Sequence, residues 1–175
     1  DLSLIAEYRA LGARYMTLVH NGHNDIGDSA QPREVLGDGP VEHGGLSDFG
    51  LEVVAEMNRV GMLVDISHVS KDTMLQATQA SVAPVIASHS SVNGVYTHAR
   101  NLDDEQLDVL KANGGVVQIV AYDSYLKAAP AEKRASLAAL HEALGLTNAA
   151  AFRAMDETTR GNYRQGRASI NQKWP

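Results

Sequence analysis

Short apolar runs alternate along the chain with segments in which apolar residues recur every three or four positions. The first pattern is typical of buried strands and the second of amphipathic helices. Strands are predicted at residues 15–19, 62–66, 85–87 and 115–121, and helices with cap residues Ser47, Ser70 and Asp103 lie between them. This alternation with short connections predicts an α/β fold with a parallel sheet.

About four βα units are compatible with part of a (β/α)8 TIM-like barrel or with an open doubly wound sheet. No glycine-rich nucleotide fingerprint follows any strand, which favours the barrel. We expect residues 1–127 to form the βα units and residues 128–175 to form a helical segment, all within a single barrel domain. Four strands alone would leave two unpaired edges. Together with the start at Asp1, this leads us to expect a fragment of a larger protein.

Composition and charge narrow the functional classes. A net charge of -6 and a pI near 5.6 argue against nucleic acid as a partner. The chain contains no cysteine, so a metal site here must use His, Asp, Glu or water. No apolar run is long enough to predict a transmembrane segment.

Three histidines occupy one kind of position, because His20, His68 and His89 each follow a predicted strand. The carboxyl ends of parallel strands meet at one edge of a sheet, so these side chains are expected to converge. Neutral imidazole is a common zinc ligand. From the residues alone, a metal site and hydrogen-bonded structural histidines stay equally open.

The segments around these histidines strongly resemble the membrane (renal) dipeptidase family, peptidase family M19. The matching segments keep their order from residue 11 to residue 125. They are residues 14–21 (RYMTLVHN), 44–47 (GGLS), 61–70 (GMLVDISHVS), 83–91 (APVIASHSS), 100–104 (RNLDD) and 114–118 (GGVVQ).

The resemblance implies a (β/α)8 metallohydrolase that cleaves dipeptides with a hydroxide bridging two zinc ions. Carried over by position, His68 and His89 would both bind the second zinc. His20 would be the catalytic residue beside the substrate, where it steadies the charge on the scissile carbonyl oxygen. Arg100 would bind the substrate's C-terminal carboxylate, a task suited to a planar bidentate donor.

The family's first zinc-binding His-x-Asp pair, its bridging Glu and its catalytic Asp match no residue of this chain. We therefore expect one zinc site at most to be partly represented, and the 175 residues alone to be inactive without the remainder of the barrel. The motif His23-Asn24-Asp25 has the same His-x-Asp spacing as that zinc-binding pair, but it falls in a long loop, where a ligand role is not expected.

Several alternatives stay open at this point. The parent protein could be another amidohydrolase-like hydrolase, or a metal-free relative that serves as a binding protein. Asp65 could support a zinc ligand or be purely structural. His43, His98 and His141 are predicted to be solvated. Dipeptide preference, location in the cell and oligomeric state, a homodimer included, are not determined by these residues.

Overall fold

A computed structural model describes residues 1–174, except the side chains of residues 35 and 149. The chain forms two compact units, one of residues 1–126 and one that begins at Lys127. The first unit contains all the strands and the histidines of interest. The second unit is helical.

The helices and strands follow the predicted alternation. In chain order they are α1 (Ser3–Ala10), β1 (Tyr15–Thr17), α2 (Asp48–Val60), β2 (Leu63–Asp65), α3 (Lys71–Ala80), β3 (Ile86–Val92), β4 (Asn101–Leu102), α4 (Asp104–Asn113), β5 (Val116–Ile119), α5 (Asp123–Leu126), α6 (Ala131–Ala143), α7 (Ala149–Arg153) and α8 (Glu157–Lys173). The two-residue strand β4, the four-residue helix α5 and a 3-10 turn at Glu34–Leu36 were not predicted. Elements this short carry too few residues to show a period.

All strand pairings in the sheet are parallel. Strand β1 pairs with β2, β2 pairs with β3, and β3 pairs with both β5 and the short β4. The register places Asp65 of β2 opposite Ile86 of β3. The predicted fold class is confirmed: the chain is α/β and forms part of a (β/α)8-type barrel.

Helices α2 and α3 cover one side of the sheet and bury the apolar positions that the sequence marked. Met57 and Met74 are fully buried, and they belong to one core with Val64 and Ile66 of the second βα unit. Each such side chain stabilises the fold by about 1.5–3 kcal/mol relative to exposure. These contacts place α2, α3 and β2 in one core.

The predicted helix caps are confirmed. The Ser47 and Ser70 side chains accept hydrogen bonds from backbone N–H groups in the first turns of α2 and α3. Asp103 forms a full capping box with Gln106 at the start of α4. Helix α2 ends at Gly61, whose φ of 72° suits a residue without Cβ.

The long loop before α2 is organised around one buried carboxylate. Asp28 is 3 % exposed and accepts hydrogen bonds from the backbone N–H groups of Glu42, His43 and Gly45. These bonds lower the pKa of Asp28 although burial opposes the shift. The loop packs closely on α2, because a Cβ on Gly50 would collide with the carbonyl oxygen of Ile26.

In the second unit, α6 packs against α8, and the rings of His141, Phe152 and Tyr163 contact one another. The Nε2 atom of His141 is buried there, so the prediction that this histidine is solvated is wrong. Within residues 1–174, no helix has the length and apolar character that crossing a membrane requires.

Candidate metal centre

Three imidazole rings lie side by side at the carboxyl edge of the sheet. His20 and His68 lie three residues beyond the ends of β1 and β2, and His89 lies within β3. The ring centroids of His20 and His68 are 4.1 Å apart, and those of His68 and His89 are 4.9 Å apart. The convergence arises because Asp65 and Ile86 are in register, and both histidines follow three residues later.

His68 and His89 point their Nε2 atoms at each other, at a distance of 2.8 Å. The opposite nitrogen of each ring is also held. His68 Nδ1 lies 3.2 Å from Asn21 Oδ1, and His89 Nδ1 lies 2.7 Å from Ser88 Oγ. Histidines that ligate metals characteristically have the second ring nitrogen held by an oxygen in this way. In the metal-free chain the two Nε2 atoms share a hydrogen bond, and both could serve as ligands of one ion that replaces it.

Both imidazoles are kept in the neutral form that binds metals. Burial, followed by the positive charge of Arg100, lowers the pKa of His68 from 6.5 to about 4. The same two causes lower the pKa of His89. At neutral pH, each ring consequently presents a lone pair instead of a positive charge.

The backbone at His68 is strained. Its φ of 72° is the only positive value at a non-glycine residue among residues 1–174. The left-handed region is unfavourable for a side chain with a Cβ, and such strain clusters at functional sites. The turn is held by Ala30, whose N–H donates to the His68 carbonyl at 2.8 Å. The fold thus enforces the direction in which the His68 ring leaves the strand.

A buried carboxylate, that of Asp65, lies three residues before His68 in the sequence. Asp65 is fully buried and accepts four hydrogen bonds, from the Thr17 hydroxyl, the Ser67 N–H, and both the N–H and hydroxyl of Ser88. Burial opposes ionisation, yet these bonds from Ser88, Thr17 and Ser67 lower the pKa of Asp65. Asp65 therefore carries a negative charge that ties β1, β2 and β3 together.

Arg100 lies next to the histidines but is largely buried. Its Nη2 donates to the His89 carbonyl at 3.1 Å, and its guanidinium lies 5.5 Å from the ring centroid of Tyr125. The Nε atom is buried and finds no hydrogen-bond partner among the described residues. Arg100 also lines a cavity of about 180 Å³ that Lys71 and His98 border. The site therefore contains a positive charge with one unused donor.

His23 and His98, outside the group of three rings, make contacts in or next to loops. His23 Nδ1 accepts from the Ser29 N–H at 3.0 Å, and its Nε2 lies 3.0 Å from the Gly39 carbonyl. Both ring nitrogens are therefore engaged within the loop, and Asp25 is exposed. His98 stacks on Tyr125 and accepts from the Arg100 N–H, so the prediction that it is solvated is wrong.

Among residues 1–174, no group of three or more His, Asp or Glu side chains is arranged to hold a metal ion. The pair of His68 and His89 stands alone as a candidate ligand set. Three contributors were missed in the sequence: Asn21, Ser88 and Tyr125. Asn21 follows His20 and Ser88 precedes His89 in the sequence, and this adjacency could have indicated that they belong to the site. Nothing in the sequence around Tyr125 indicates its role.

Comparisons with known proteins identify the family of this chain. A family model described as membrane dipeptidase (peptidase family M19) matches residues 1–161. The chain therefore belongs to the membrane dipeptidase family.

Individual relatives give the same result. Dipeptidase aclJ from Aspergillus oryzae is 43 % identical over 136 residues, which cover 78 % of this chain and 31 % of that protein. Dipeptidase verJ from Clonostachys rogersoniana is 50 % identical over 109 residues, or 62 % of this chain and 26 % of verJ. The chain thus spans about a third or less of these curated relatives.

Solved structures are similar as well. The probable dipeptidase PvdM from Pseudomonas aeruginosa matches with a TM-score of 0.84 and 28 % identity, covering 100 % of this chain and 46 % of PvdM. A metallo peptidase from Rhodobacter sphaeroides, liganded with a phosphinate mimic of the dipeptide L-Ala-D-Ala, matches with a TM-score of 0.63 and 28 % identity. That match covers 71 % of this chain and 35 % of the peptidase.

Proposed function

We propose that the protein containing this chain is a zinc-dependent dipeptidase. The observation that carries the proposal is the pair of facing Nε2 atoms of His68 and His89, in a chain of the M19 family. Each ring has its Nδ1 beside an oxygen and turns its Nε2 to the other ring, so both Nε2 atoms would become ligands once an ion replaces the hydrogen bond between them. The remaining ligands of a binuclear site would come from the rest of the barrel.

Zinc fits this donor set because it accepts imidazole nitrogen readily and tolerates sites without cysteine. When bound, zinc would polarise the scissile carbonyl and make a water molecule nucleophilic near neutral pH. His68 and His89 would hold one ion through Nε2. Because the pKa of each ring is lowered, both would be deprotonated at neutral pH, so that protons compete little with the metal.

His20 is proposed to contact the substrate. Its ring lies 4.1 Å from that of His68, and the residue is exposed, so a substrate could approach it from solvent. A ring nitrogen of His20 would donate a hydrogen bond to the oxygen of the scissile carbonyl as negative charge develops there. Donors placed where charge develops stabilise the transition state.

Arg100 is proposed to bind the C-terminal carboxylate of the dipeptide. The charge is buried, and its Nε–H has no partner among the described residues. A buried, unused guanidinium donor is costly unless an acceptor arrives. A carboxylate is a suitable acceptor because its two oxygens match the planar guanidinium. Peptides blocked at the C-terminus should therefore be poor substrates.

A different amide substrate is the second candidate. A structure described as an amidohydrolase from Pseudomonas aeruginosa is 35 % identical and matches with a TM-score of 0.65 over 73 % of this chain and 36 % of that one. Substrate profiling of the full-length protein decides between the candidates.

The test uses the full-length protein, its His68→Ala and His89→Ala variants, and His43→Ala as a matched control. His43 is a loop histidine that contacts the Asn24 carbonyl and lies outside the cluster. We expect zinc content and hydrolysis of L-Ala-L-Ala or L-Ala-D-Ala to fall in the first two variants and to persist in the control. Zinc binding without cleavage of either dipeptide would favour the amidohydrolase candidate, and absence of both would refute the proposal.

A further inference from the structure

A chain of hydrogen bonds connects the buried carboxylate of Asp65 to the ring of His89. Ser88 Oγ lies 2.6 Å from Asp65 Oδ2 on one side and 2.7 Å from His89 Nδ1 on the other. The serine is therefore shared between the carboxylate and the imidazole. The question is which way its single hydroxyl proton points.

The Asp65 carboxylate determines in which direction the Ser88 hydroxyl donates. Ionised Asp65 can only accept hydrogen bonds, and its Oδ1 is already occupied by the N–H groups of Ser67 and Ser88. The Ser88 hydroxyl consequently donates to Asp65 Oδ2. Its oxygen then offers a lone pair to His89, and His89 must carry its proton on Nδ1 to complete the contact.

We propose that Asp65 and Ser88 are positioning residues that fix His89 with its proton on Nδ1 and its lone pair on Nε2. The inference rests on the proposed function for its purpose, because the Nε2 lone pair is the one that faces His68 and would bind zinc. The assignment of the tautomer itself depends only on hydrogen bonds, and in the metal-free chain it requires His68 Nε2 to donate to His89 Nε2 across the 2.8 Å contact. A free imidazole would instead distribute its proton between both nitrogens.

Thr17 supplies a matched control for this chain of hydrogen bonds. Its hydroxyl donates to the same Oδ2 atom at the same distance of 2.6 Å. It makes no described contact with His89. Removal of either hydroxyl takes one donor from Asp65, but only removal of the Ser88 hydroxyl also takes the acceptor from His89.

The experiment measures the ¹⁵N chemical shifts of the His89 imidazole in the metal-free, full-length protein, because these shifts distinguish the two tautomers. We expect the Nδ1–H form in the parent and in Thr17→Val, and a mixture of tautomers in Ser88→Ala. A parent in the Nε2–H form, or Ser88→Ala with an unchanged Nδ1–H form, would overturn the inference.

Asp65→Asn provides an independent variant that reverses the direction of the hydrogen bonds from residue 65 through Ser88 to His89. The backbone donors at Oδ1 keep the amide oxygen there, so the amide nitrogen takes the place of Oδ2 and donates to Ser88. The Ser88 proton then turns to His89 Nδ1, and His89 should shift to the Nε2–H form. Retention of the Nδ1–H form in this variant would contradict the proposal.

Zinc affinity gives the second readout, by competition with a chromophoric chelator. We expect Ser88→Ala to weaken binding by about 10- to 100-fold and Thr17→Val to change it little. Equal losses in both variants would show a merely structural effect and refute the positioning role. If the parent bound no zinc, the proposed function would fail, while the tautomer measurement would still decide the inference.

Discussion

His68 should make the metal-free protein sensitive to acid well above the pH at which carboxylates titrate. Its pKa is about 4 in the folded state, because the ring is buried and lies near Arg100, and is 6.5 as a reference for the unfolded chain. The unfolded state therefore binds a proton more readily than the folded state. The stabilising contribution is complete above about pH 6.5 and is lost progressively as the pH falls toward about 4.

The size of the effect follows from the shift. At about 1.4 kcal/mol per pH unit, the change from 6.5 to about 4 corresponds to a loss on the order of 3 kcal/mol. That is a substantial part of the stability of a typical domain, about 5–15 kcal/mol. Bound zinc would mask the loss because it competes with the proton, so a chelator must be present.

The assay compares urea unfolding of the full-length parent with that of His68→Gln between about pH 7.5 and about pH 4.5. The variant retains the strained backbone. It also retains the contributions of His89 and His98 to the pH dependence of stability, since their pKa values are likewise lowered by burial and Arg100. The parent should lose about 2–3 kcal/mol more than the variant over this range. Parallel pH profiles, or an NMR titration midpoint of His68 near pH 6.5, would refute the reasoning.

Three further predictions concern the scaffold. Gly50→Ala should cost about 1–3 kcal/mol in thermal unfolding, since a Cβ meets the Ile26 carbonyl, whereas Gly94→Ala, with open space around it, should stay within about 0.5 kcal/mol; equal effects would contradict the packing argument. Asp28→Ala should make the loop at residues 21–45 more sensitive to limited proteolysis, because three backbone N–H groups lose their acceptor; an unchanged cleavage pattern would show that other contacts hold the loop. His68→Gly should be about 1 kcal/mol more stable than His68→Ala in urea, because glycine tolerates the φ of 72°; the reverse order would argue against strain.

The sequence determined the order and type of the major elements, because their signals are local. Ser47, Ser70 and Asp103 cap helices where they stand, and the apolar period separates helices from strands. The parallel sheet could also be predicted from the sequence. Strands that alternate with helices along the chain run in the same direction, and the helices then cover the faces of the sheet. Strand β4 was not predicted, because a two-residue strand is too short to show a periodic pattern in the sequence.

The convergence of the three histidines was likewise accessible, because equal positions after neighbouring parallel strands bring side chains to one edge of the sheet. Their detailed surroundings were not accessible. The contacts of Arg100 with the His89 carbonyl and with Tyr125 join residues 11 and 25 positions apart, through loops whose path no local rule predicts.

The same division applies to the chemistry of the site. The sequence by itself established which residue types follow the strands and which family they resemble. Only the tertiary structure decided that Ser88 stands between Asp65 and His89, and thereby which nitrogen of His89 carries the proton. The physical reason is that a hydrogen bond forms or fails with changes of a few tenths of an ångström in the distance between its atoms, and strand register and side-chain packing set that distance.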